Sequence, residues 1–124
     1  MTLFNWLLVG HLLGDWMFQN DWMAKGKRQS FFNAPILIHC TLYTLLTLLT
    51  LLLATRRSPT LPPVLPFIAI IFVTHWLVDA SDLVDCWMRL LRQSNLPAVR
   101  MMVDQTLHIL VLALLAEMIY DIRF

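Results

Sequence analysis

Long apolar stretches separated by short polar breaks make up most of this chain. A helix that crosses a bilayer needs about 20 mostly apolar residues, and windows of that length fall at 3–23, 34–54, 64–88 and 96–120. The first runs from Leu3 to Met23 and stops at Lys25-Gly26-Lys27-Arg28. The second has Asn33 placed as a cap and Pro35 in its first turn, where a missing N–H does no harm. Arg56-Arg57-Ser58-Pro59 and Pro62-Pro63 form a stiff connection to the third, which starts near Val64 and passes Trp87 before Arg89 and Arg92. Ser94-Asn95-Leu96-Pro97 reads as a turn and the start of the fourth helix, which runs to Tyr120 and leaves a four-residue tail. The pattern predicts an all-α polytopic membrane protein, four transmembrane helices in an antiparallel bundle, forming a single domain over 1–124.

Polar residues interrupt these stretches at helical spacing. His75 and Asp79 are four residues apart, and Asp82 follows three later, so all three are expected on one face. The same spacing recurs at His11 and Asp15, and in reverse order at Asp104 and His108. Counted from the basic end of each span at 1.5 Å per residue, Asp15, Asp79 and Asp104 are each roughly 12 Å deep. His11, His75 and His108 are at roughly 18 Å, and His39 enters from the second span at roughly 9 Å. The first and third spans run towards the basic side and read His then Asp. The fourth runs away from it and reads Asp then His. A shared layer of imidazoles and carboxylates requires that reversal.

Composition agrees with a membrane. The chain is 59% hydrophobic and 14% charged, against roughly 25% charged in a soluble domain. A net charge of +1 gives no field for nucleic acid. Lys25, Lys27, Arg28, Arg89, Arg92 and Arg100 fall on one side, and Arg56, Arg57 and Arg123 on the other. That bias makes the first side cytoplasmic, in a bacterial inner or other internal membrane, with both termini non-cytoplasmic. The first stretch lacks a basic leader and a small-residue cleavage site, so it is expected to be retained. Cys40 and Cys86 lack paired spacing and are expected as buried spectator thiols.

Neutral imidazole with carboxylate is a ligand set for Zn, Fe or Mn. One histidine in a helix bundle is more often a hydrogen-bonder between helices than a ligand. Here every histidine of the chain falls in one layer with matched acids, which favours a divalent metal site, single or dinuclear. The expected ligands are His11, Asp15, His39, His75, Asp79, Asp104 and His108, with Asp15, Asp79 and Asp104 also the candidate catalytic acids or bases. Asp82 is a further candidate on the His75 face, Gln19 is placed to line an entrance, and Asp85, Asp21 and Glu117 are expected to be solvated.

His11-Leu12-Leu13-Gly14-Asp15, then Gln19 and Asp21-Trp22-Met23-Ala24 followed by Lys27, resembles the opening of a bacterial integral-membrane family catalogued as domain of unknown function 3307. His39, the His75/Asp79 pair and Asp104-Gln105-Thr106-Leu107-His108 continue the resemblance over nearly the whole chain. The family's description implies no activity. In layout the chain is also similar to inner-membrane metal-dependent hydrolases. The expected function is therefore an intramembrane metal-dependent hydrolase acting on a lipid-like or phosphoester substrate. The alternative is a non-catalytic small subunit of a larger membrane complex, binding a structural metal, haem or pigment. A proton or ion relay ranks below both, because no second polar cluster leads out. Expected partners are membrane lipid and other membrane proteins or further copies of the chain, not nucleic acid.

Overall fold

A computed structural model describes residues 1–123, with side chains as far as Asp121. Phe124 and the side chain of Arg123, counted above among the basic groups, lie outside the described residues. The chain is helical in six pieces: α1 (Leu3–Leu12), α2 (Asp21–Gly26), α3 (Ala34–Thr55), α4 (Val64–Ala80), α5 (Leu83–Leu90) and α6 (Pro97–Arg123). A π-helical turn, Leu13–Met17, extends α1.

Local chemistry sets most boundaries. Thr2, Asn20 and Asn33 accept from the backbone N–H groups of Asn5, Met23 and Ile36, capping α1, α2 and α3. Pro35 sits in the first turn of α3, as expected. The expected first span does not reach Met23 as one helix. It ends at Met17, and the Asn20 cap starts α2 as a separate short helix. The third span also breaks. Ser81 turns to extended backbone, its N–H and hydroxyl both bonding the Leu77 carbonyl, and α5 leaves at 59° to α4. The fourth helix continues past Tyr120 to Arg123, without the expected tail. Two helices, Ala34–Thr55 and Pro97–Asp121, are long and apolar enough to cross a membrane, or three if α4 and α5 count as one span.

α3 is the central element, packing on α1, α2 and α4, while α6 closes against α1, α4 and α5. α1 approaches α3 closely through its glycines. A β-carbon at Gly10 would lie 2.8 Å from Thr47 Cα, and one at Gly14 would lie 2.9 Å from Tyr43 Cα. Gly10 meets Thr47 and Gly14 meets Tyr43, so the two helices run in opposite directions. The spacing is the small-residue pattern of close helix pairs in membranes.

α3 is inverted relative to a helix in water. Thr44, Thr47 and Thr50 are buried, while Leu45, Leu49 and Leu52 are exposed. Each buried threonine bonds a carbonyl one turn back (Cys40, Tyr43 and Thr47), as the Leu/Thr pattern predicts. An apolar core of Leu7, Leu51, Phe67, Ile71, Leu112 and Leu115 fills the half of the molecule away from Lys25, Lys27, Arg28 and Arg100. A smaller cluster, Val78, Val84 and Met88, packs near α5. The polar layer lies between them.

Candidate metal centre

The layer is assembled from every long helix. Asp15, in the π turn after α1, lies inward one turn beyond His11, and both are buried. His39 comes from α3, and His75 and Asp79 from one face of α4. Four ligand atoms, one each from Asp15, His39, His75 and Asp79, lie within 4.8 Å of one another. His39 Nε2 is 2.9 Å from His75 Nε2, 3.2 Å from Asp15 Oδ1 and 3.1 Å from Asp79 Oδ2. His75 Nε2 is 3.4 Å from the same Asp79 oxygen. Ligands about 2.0–2.1 Å from a tetrahedral ion are about 3.3 Å apart, so four edges of the group are close to that figure. A second group, Asp15, Asp104 and His108, meets the same distance limit and shares Asp15.

Proton positions sharpen the picture. His108 Nδ1 is 2.9 Å from the Asp104 carbonyl, which can only accept, so Nδ1 carries a proton and, in the neutral ring, Nε2 presents a lone pair. That lone pair is 3.5 Å from Asp79 Oδ1, also an acceptor. Asp79 Oδ1 and His108 Nε2 are buried without a hydrogen-bond donor, the Nδ1 atoms of His39 and His75 are unpartnered too, and Asp15 Oδ1 has only His39 Nε2 and the more distant Lys27 Nζ beside it. Each such buried group costs about 1–3 kcal/mol. A neutral His39 has one proton for the three acceptors around its Nε2 at most. Even with the Lys27 ammonium against Asp79 Oδ2, the centre holds more lone pairs than donors, a composition that a further cation would neutralise.

His11 was expected as a ligand but lies outside both groups, and neither of its ring nitrogens is free. Its Nε2–H donates to Gln105 Oε1 at 2.8 Å, so its Nδ1 accepts from the Tyr43 hydroxyl at 3.1 Å. Gln105 Nε2 in turn donates to Asp15 Oδ2 at 2.7 Å. Tyr43, His11 and Gln105 thus form one directed chain that holds Asp15 by one oxygen and turns the other to the cluster. Tyr43 also stacks its ring on His75, with centroids 3.6 Å apart.

The sequence marks Lys27 as a charge flanking a span and as part of the family resemblance, and gives it no place in the layer. Lys27 is buried, with Nζ 2.9 Å from Asp79 Oδ2 and 3.6 Å from Asp15 Oδ1. Burial lowers its pKa, but Asp79 and Asp15 outweigh that and hold it above the ordinary lysine value. The signal available in the sequence was Asn20, whose cap restarts a helix just before Lys27. Asp82 leaves the site, because α4 ends at Ala80 and Asp82 stands exposed at the residue before α5. Asp85 pairs with Arg100. Cys40 is buried as expected, but Cys86 is exposed, with its sulfur accepting from Arg89.

Asp15, Asp104 and Gln105 also border a cavity of about 910 Å³ at the basic end, and Gln19 lines it as expected. No curated protein and no solved structure matches the chain. The family described as "Protein of unknown function (DUF3307)" matches residues 3–123, nearly the whole chain, and the protein belongs to that family.

Proposed function

We propose that this is a four-span integral-membrane protein that binds a divalent metal ion (Zn, Fe or Mn) in the His/Asp layer and uses it for hydrolysis. The lone-pair-rich meeting of Asp15, His39, His75 and Asp79 carries this reading. The inverted burial of α3, leucines out and threonines in, supports lipid as its surroundings. The four spans are α1 with its π turn, α3, α4 continuing into α5, and α6, neighbours in an antiparallel bundle. The first is the shortest, about 22 Å from Leu3 to Met17. It reaches across by local thinning of the bilayer, with α2 at the interface. The basic residues favour a cytoplasmic location for this face and non-cytoplasmic termini.

His39, His75, Asp15 and Asp79 would hold the ion, with His108 and Asp104 completing a second position beside it. A bound divalent ion would supply a water of near-neutral pKa and polarise a phosphoryl or acyl oxygen. Asp104, half-buried at the cavity edge, would act as general base where that second position holds no ion. Gln105 and His11 act by orienting Asp15, not by touching substrate. Lys27 shares the Asp79 oxygen that faces His39, so the ammonium and the ion compete for it.

That same ion pair favours a second reading, a non-catalytic small subunit of a larger membrane complex whose cluster, with or without a structural metal, only fixes helix packing. A haem held between His39 and His75 is argued against by their Nε2 atoms, 2.9 Å apart, which leave no space for a porphyrin plane. The deciding experiment is hydrolysis of short-chain phosphoester and carboxyl-ester lipids by detergent-purified protein, with and without added zinc, iron or manganese. Turnover should require metal and vanish in His75→Ala with helix content retained. Metal-loaded protein inert towards every probe would favour the second reading.

A further inference from the structure

We propose that the cavity at the basic end seats an amphiphile with an anionic phosphate head, drawn from the adjacent leaflet. The proposal rests on the hydrolytic reading above and names its substrate class. The cavity's volume, about 910 Å³, is within the range of small-molecule sites. Its inner end is bordered by Asp15, Asp104 and Gln105, the residues that link the two ligand groups.

Its other walls differ in kind. Lys25, Arg28 and Arg100 line it together. Lys25 and Arg28 have no ion pair among the described residues, and Arg100 Nε is buried without a partner although Asp85 takes another of its nitrogens. Neighbouring guanidiniums with an unused donor suit an oxyanion, and arginine's fork suits phosphate in particular. Trp16, Leu96 and Met101, all exposed, supply an apolar wall. A free phosphate would leave that wall wet, whereas a phosphate carried on an acyl chain uses both surfaces. The head would then sit between the cationic rim and the ligand cluster, with the tail leaving past Trp16.

The test measures binding without metal, so its failure is separable from failure of the hydrolytic reading. The full chain in nanodiscs, treated with EDTA, is titrated with brominated phosphatidic acid or brominated diacylglycerol. The readout is the quenching of Trp16, taken as wild type minus Trp16→Phe. Saturable quenching is expected with phosphatidic acid at mole fractions about tenfold below any effect of diacylglycerol, and Arg28→Gln with Arg100→Gln should remove that difference. Arg28→Gln alone, at an exposed side chain, should weaken binding several-fold even if loss of the Arg100–Asp85 pair unfolds the double variant. Equal quenching by the two lipids would overturn the recognition of the head. Displacement by inorganic phosphate as effective as that by short-chain phosphatidic acid would overturn the role of the tail.

Discussion

Lys27 decides how the centre behaves without metal. Its ammonium is the cation nearest two buried carboxylates, 2.9 Å from Asp79 and 3.6 Å from Asp15. Lys27→Met strands those charges, and breaking a buried pair in this way costs about 3–5 kcal/mol. Thermal unfolding in EDTA should therefore fall well below wild type, and added zinc should restore most of the loss while binding more tightly than to wild type. Zinc without effect on the variant would mean that the carboxylates serve the lysine alone. Gln105 is a milder probe, since it holds Asp15 from behind. Gln105→Leu should weaken metal binding roughly 10- to 100-fold in isothermal titration with helix content unchanged, and unchanged affinity would remove the Tyr43–His11–Gln105 chain from the site. Depth along each helix was legible in the residues: rise per residue alone brings Asp15, His39, His75, Asp79, Asp104 and His108 into one band of the bilayer, from roughly 9 to roughly 18 Å deep. Facing was less so. His11 shares that band but turns to Gln105 and Tyr43, and Lys27 falls outside every apolar window, so no spacing argument reaches it.

At the scale of elements, the contact between α1 and α3 governs whether Asp15 meets His39. Gly10 and Gly14 permit it, with Thr47 and Tyr43 backbone directly opposite. Gly14→Val should destabilise the protein by about 1–3 kcal/mol through overpacking, whereas Leu12→Ala, at an exposed position, should change thermal stability little. Equal effects from the two would mean that the helices do not approach closely here. The Asn33 cap and Pro35 announced the start of α3, and the threonine pattern announced its internal bonding. The breaks were hidden for a physical reason. Hydropathy averages over a window, so Gln19-Asn20 and Ser81-Asp82 disappear into apolar neighbours, although each pair ends one helix and starts another. The π turn has no compositional signature at all in Leu13-Gly14-Asp15-Trp16-Met17.

For the whole molecule, an orientation and a metal content are predicted. Cys86 is exposed on α5 beside Arg89, and Cys40 is buried, so the native thiols report the sidedness of the basic face. A membrane-impermeant maleimide should label Cys86 in inverted inner-membrane vesicles and not in intact spheroplasts; labelling from the outside would reverse the topology. Family membership was legible because its residues are spread along the entire chain, while the activity is not written in any one of them. Elemental analysis of the detergent-purified protein bears most directly on the centre itself. At least one zinc, iron or manganese per chain is expected, falling to background in a folded His39→Ala, His75→Ala double variant. Wild-type protein that carries no stoichiometric metal, and takes none up on dialysis against these ions, would contradict a cation-binding layer.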